Sequence, residues 1–216
     1  MKYYSQADAD HLINALQNVY TLTVDYSGKE YCGLTLNWNY PAQHVDVSMP
    51  KFVIKTLQKL QHPSPLKPQH APHKHIQPIY GQQQQFTPAP DTSPLLNSTE
   101  TTHIQRIVGS FLYYGRAVDP NILPAINKLG LTQAKPTTNT KSTAQMLLDY
   151  LHTHPTATLR YKASDMILHV DLDAAYLIAP GAKSRIAGYY FLSSNYTPTP
   201  PTITPTPPKC SSSCQM

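Results

Sequence analysis

The apolar positions of this chain change period several times, and each change marks an element. Leu12, Ala15, Leu16 and Val19 recur at helical spacing, with Asp8 and Asp10 toward the N-terminal end, and predict a helix over residues 7–20. Three strand-like runs follow, at 22–26, 30–38 and 44–48, separated by Ser27-Gly28 and by Asn39-Tyr40-Pro41. Pro50 sits where a helix can begin. Phe52, Val53, Thr56, Leu57 and Leu60 give that helix one apolar face, with Lys51, Lys55 and Lys59 around it. Helical spacing returns over 102–118, 121–133 and 140–152, the last stopping before Pro155. A short strand at 158–161 precedes two β-like runs, 167–173 and 186–192, joined through Pro180-Gly181. The whole predicts an α+β fold: a small antiparallel sheet with helices, a three-helix connection, then a β-hairpin.

Two stretches carry no period. Residues 61–98 hold eight prolines, from Pro63 to Pro94, and a glutamine run at 82–85, which predicts a long irregular connection. After Asn195 six prolines in residues 198–208 predict a polyproline-like, unpacked tail. The expected division is therefore 1–60, 61–98, 99–155, 156–195 and 196–216.

Composition refines this picture without replacing it. Of 216 residues 40% are hydrophobic and 13% charged, with 21 prolines and a formal charge of +5. The charge is uneven. Residues 51–90 carry five lysines (Lys51, Lys55, Lys59, Lys67 and Lys74) and no acid, whereas 1–49 hold two lysines against five carboxylates. A basic segment suits a polyanion, and lysines repeating every four residues let one helix face track phosphates. Tyr31 and Trp38 are stacking candidates for bases, although buried core is the commoner role of strand aromatics.

Other chemistries find little support. Cys32 lies in a strand-like run and reads as a buried thiol, and Cys210 and Cys214 lie in the tail, so there is no disulfide framework. His62, His70, His73 and His75 have no Cys or carboxylate at finger spacing and read as solvated. There is no G-x-S-x-G elbow and no G-x-x-x-x-G-K loop. No apolar run approaches the ~20 residues of a membrane span. The N-terminus lacks a signal-peptide core, so the expected location is intracellular, in cytoplasm or nucleus, with no membrane partner.

Particular residues also carry a resemblance. The stretch HVDLDAAYL…GAKSRIAGYYFLSS resembles the first two strands of the ribonuclease H domain of copia-type retrotransposon polyproteins. On that pattern Asp173 matches the first catalytic Asp, and Arg185, Gly188, Tyr189, Phe191 and Leu192 match the second strand. Asp171 lies two residues earlier on the same strand face and has no standard counterpart. Residues 8–65 are similar to the part of reverse transcriptase that follows its catalytic aspartate pair, with Tyr31-Cys32-Gly33-Leu34-Thr35-Leu36 matching a strand near the primer end. Gly109-Ser110-Phe111-Leu112-Tyr113 and Lys135-Pro136-Thr137 match the region connecting the two enzymes, while Arg116 and Asp119 depart from its R-P-D order. The resemblance spans about residues 5–195.

The resemblance implies two-metal hydrolysis of the RNA strand of an RNA–DNA hybrid, with Mg2+ or Mn2+ held by carboxylates from successive elements. It places Asp173, helped by Asp171, at the metal, and Tyr31 and Gly33 near the primer end, while Lys51, Lys55 and Lys59 are nucleic-acid candidates by their spacing. It also implies incompleteness, because the Tyr-x-Asp-Asp motif is absent and the tail stands where the later carboxylates belong. The expectation is thus a truncated polyprotein fragment with an incomplete ribonuclease H-like hairpin. No cofactor is expected for this chain alone, and its partners are hybrid or other nucleic acid and the rest of the polyprotein. Two further readings are a non-catalytic nucleic-acid or protein interaction module on the lysine helix, and a nuclease completed by another polypeptide.

Overall fold

A computed structural model describes residues 4–74, 91–179, 183–194 and 203–205. Its core forms where the apolar pattern is densest. Helix α2 (Phe52–Lys59), α3 (Ser98–Ala117), α4 (Leu123–Thr132) and α5 (Thr138–Thr153) bury Val53, Ile107, Phe111, Leu129 and Leu147 at 0% exposure or nearly so. A 3-10 turn, Pro120–Ile122, leads into α4. Phe52 stacks on Tyr114, with ring centroids 5.5 Å apart, and meets Phe111 edge-on at 6.2 Å. Both α3 and α5 start on capping boxes. Asn97 accepts from the Glu100 backbone while Glu100 reaches back, and Thr137 and Thr140 do the same. Helix α1 (Gln6–Gln17) begins at Ser5, which accepts from Asp8 N, and buries Ala9.

One antiparallel sheet has the order β1 (Glu30–Tyr31), β2 (Leu34–Asn39), β3 (His44–Ser48), β4 (Ala157–Lys162), β7 (Ile203–Pro205). The β3–β4 pairing joins residues far apart in the chain, with Asp46 opposite Arg160. There Arg160 Nε and Nη2 donate to Asp46 Oδ1 and Oδ2 at 2.7 and 2.8 Å, a two-pronged pair. The sheet therefore runs across the segments 1–60 and 156–195. β5 (Ile167–Ala179) and β6 (Lys183–Ser193) form a separate two-stranded sheet. The architecture is mixed α+β, with a small antiparallel sheet and five α-helices among the described residues.

Several expectations are corrected. Residues 22–26 form no strand. The Asp25 carboxylate instead collects the backbone N–H groups of Ser27, Lys29 and Glu30 and the Ser27 hydroxyl, local bonds that compete with a ladder. These bonds, the Ser27 hydroxyl first, lower its carboxyl pKa to about 2. The expected single strand 30–38 is two strands folded on a two-residue turn. Cys32 (φ 50°) and Gly33 (φ 79°) are both left-handed, and Tyr31 pairs Leu34. Cys32 is consequently exposed rather than buried.

Over its described flanks the connection 61–98 is irregular and mostly exposed, yet hydrogen bonds tie it to the helices. His62 Nε2 lies 2.9 Å from Asp149 Oδ1, Ser64 Oγ 3.1 Å from His152 Nε2, and Gln69 N donates to Thr153 Oγ1 at 3.0 Å. At the other flank Leu96 N donates to Pro136 O and Thr138 N to Pro94 O. Nor is the tail wholly unpacked, since Ile203–Pro205 adds an edge strand to β4, a position that tolerates proline. The glutamine run 82–85, His75, residues 180–182 of the expected turn and most of the tail lie outside the described residues.

Candidate nucleic-acid interface

The positive face is built by one short helix. In α2 the buried positions are Val53, Thr56 and Leu57, so residues at 51, 55 and 59 fall on the opposite side of the 3.6-residue turn. Lys51, Lys55 and Lys59 are all exposed, and among the described residues none makes an ion pair. Lys51 is the residue preceding the first helical turn, held at φ 64° with no side-chain cap, while Lys59 is in the last turn. The three lysines therefore lie along the whole length of the helix.

The stripe is extended from a second helix. Lys59 and Arg106 of α3 line one cleft of about 350 Å³, with Phe52, Thr56, Leu60 and Ser110. The cleft joins an apolar floor to two cations. Nearby His103 is held below the ordinary imidazole range, by burial first and then by the charges of Arg106, His62 and Lys141. Lys141 is neutralised by Glu100, whose carboxyl it lowers. Among the described residues, Arg106 and the three lysines make no ion pair.

Tyr31 and Gly33 sit at the same end of the sheet as the start of α2, because the ladder runs Tyr31 to Leu34 and then Thr35 to Ser48. Gly33 holds the turn, and Tyr113 Oη of α3 donates to Cys32 O at 3.0 Å, pinning that turn to the helices. Tyr31 is 67% exposed. Trp38 lies at the far end of β2. It donates to Gly28 O at 2.8 Å and stacks on Tyr40 with planes 7° apart. The structure thus brings Tyr31 and Gly33 toward the lysine helix and leaves Trp38 apart, roughly 13 Å along the strand.

Asp171 and Asp173 are on one face of β5, opposite Tyr189 and Ala187, and both are exposed. Asp173 is not at the end of its strand, where the expected run 167–173 puts it. β5 continues to Ala179, and its hairpin stands outside the five-stranded sheet. A hard divalent ion takes about six or more oxygen ligands. Among the described residues no group of three or more His, Cys, Asp or Glu side chains comes together to hold a metal. Two carboxylates two residues apart on an open strand do not fit a two-metal centre.

Sequence reasoning missed Arg106 and the ordered histidines. His70 Nδ1 lies 3.1 Å from His154 Nε2, and His154 packs on Tyr150. No local spacing announces such pairs, since the partners are more than eighty residues apart. No protein-family model matches this chain, and it matches no curated protein and no solved structure. Among the described residues no helix is long and apolar enough to cross a membrane.

Proposed function

We propose that this chain is a non-catalytic nucleic-acid-contacting module. The observation that supports it is the unpaired stripe Lys51, Lys55 and Lys59, continued by Arg106 across the cleft. Its origin, on this reading, is a segment of a copia-type reverse transcriptase–ribonuclease H polyprotein, with β5–β6 the start of a ribonuclease H-like sheet. That ancestry rests on the motif residues alone. RNA–DNA hybrid is the natural partner for such a segment, inside the cell and beside the rest of the polyprotein.

Three lysines neutralising about three phosphates give a slope of log K against log salt near −2.7, about a 40-fold loss of affinity from 50 to 200 mM salt. Fluorescence anisotropy with an RNA–DNA hybrid is the test, comparing the wild type with the triple variant Lys51→Glu, Lys55→Glu, Lys59→Glu. Salt-dependent binding that the triple variant abolishes supports the reading, and binding unaffected by it refutes it. Cleavage of the hybrid's RNA strand with Mg2+ or Mn2+, lost in Asp173→Asn, would show a site completed by other groups and overturn the non-catalytic assignment.

A further inference from the structure

The β5–β6 hairpin turns its apolar face outward. Cross-strand partners share a face, so Leu168 with Leu192 and Val170 with Tyr190 form two rows of one surface. Leu172 with Gly188 and Ala174 with Ile186 continue it toward the tip. All eight positions are exposed and none is charged. The other face is the one turned to the molecule at its base, where His169, Tyr189 and Phe191 are half-buried and the His169 and Phe191 rings stack at 5.0 Å. Burial is the first cause that pushes the Tyr189 hydroxyl up, with Tyr161 of β4 contributing next. An alternating strand normally buries its apolar side, and here that side is bare.

At Gly188 the bare face is filled in by a neighbouring ring. A Cβ placed on Gly188 would lie 2.7 Å from Tyr190 Cε2 and 2.8 Å from its hydroxyl, so the Tyr190 ring lies down over the glycine. A two-stranded sheet is marginal in water unless further strands or another layer cover an apolar face. We propose that a second copy of this chain covers it, two hairpins packing face to face about a two-fold axis.

Three properties of the face select that occupant. An uncharged apolar strip sets no charge against its own copy across a two-fold contact, where the same patch meets itself. Without a cation it offers nothing to nucleic acid, and without any charge it offers no rim for a charged peptide. Its area is sufficient as well. Leu168, Val170, Leu172, Ile186, Tyr190 and Leu192 are 45–79% exposed. Together they present roughly 650 Å² per copy, so a pair covers at most roughly 1,300 Å², which reaches the lower end of the range of about 1,200–2,000 Å² for specific interfaces. This inference does not depend on the nucleic-acid reading.

Sedimentation equilibrium of the full chain up to about 100 μM measures the association. The expected species is a dimer whose dissociation constant rises at least 100-fold in Leu172→Glu. Ala187→Glu, a charge added to the opposite face, leaves it unchanged. Leu172 is 64% exposed in one copy, so its variant keeps the wild-type urea midpoint for the helical core. Amide exchange tests the same contact without any variant, since protection of Leu168 and Leu172 rises with protein concentration. A monomer throughout, a dimer indifferent to Leu172→Glu, or exchange independent of concentration refutes the proposal. So do growth beyond a dimer, which would mean edge-to-edge pairing, and uptake of the chain by phosphatidylcholine vesicles in place of self-association.

Discussion

Two glycines of α3 allow one substitution to report on the packing that holds the interface together. Gly109 is exposed, and a Cβ there meets nothing within 4 Å. Gly115 is buried, and a Cβ there would lie 3.0 Å from Leu123 Cδ2, 3.1 Å from Ile122 Cγ1 and 3.4 Å from Ile122 Cδ1. In either place alanine raises helix propensity by about 1 kcal/mol. At Gly109 that term stands alone, so Gly109→Ala is expected to stabilise by about 0.5–1 kcal/mol. At Gly115 it is opposed by overpacking of about 1–3 kcal/mol, because Ile122 is fully buried and its branched Cβ restricts its side chain. The propensity term is common to both variants, so their difference isolates the steric one, about 1–3 kcal/mol with Gly115→Ala the less stable. Urea unfolding followed by far-ultraviolet circular dichroism, with m held common, measures it. Equal stabilisation of both variants would mean that α3 does not approach the Ile122–Leu123 corner closely.

Other expectations test separate parts. Burial first, and then the neighbouring His70, hold the His154 imidazole below its ordinary 6.5. The folded pKa is thus below the unfolded one, so stability is full above about pH 6.5 and falls as acid protonates the unfolded chain first. His154→Gln should flatten that fall in urea midpoints taken between about pH 7.5 and 5.5, and an unchanged slope would contradict the packed His70–His154 pair. Gly33→Val places a β-branched residue at φ 79°, which costs about 1–2 kcal/mol in the same assay. No loss there would mean that Tyr31–Leu36 runs straight after all.

How much was legible depended on whether an element's partners were local. Helices α3 and α5 have apolar residues at 3.6-residue spacing and capping boxes within four residues, so both expected helices overlap the observed ones with ends shifted by a few residues. The break at Cys32-Gly33 was hidden because strand-forming residues flank it on both sides and cysteine is an unusual occupant of a left-handed position. Asp25 reads as a strand residue in sequence, but its side chain satisfies the backbone ahead of it. The strap through His62 and Gln69 lies on α5 by single hydrogen bonds across more than eighty residues, and composition holds no trace of them. At the candidate site the lysine face follows from period alone, whereas Arg106 joins it only because α2 and α3 line the same cleft. For the hairpin, alternation showed that its faces differ. It did not show which face the rest of the chain would cover.

The two surfaces together make a quantitative demand. If copies join through the hairpin face, each dimer carries two lysine stripes, and a long polyanion can engage both. The salt slope then doubles, from about −2.7 to about −5.4, because twice as many counterions are released in one binding event. Second-site engagement also raises avidity by about 10²–10⁴ when the geometry permits both contacts. Leu172→Glu separates the two effects, since it leaves every lysine in place while removing the second copy. On a long duplex the variant should return to the single slope and lose avidity. On an oligonucleotide too short to reach both stripes it should match the wild type. A variant that binds both substrates like the wild type would mean that the hairpin face plays no part in presenting the lysines. One that fails on the short oligonucleotide would place the hairpin in the nucleic-acid contact itself.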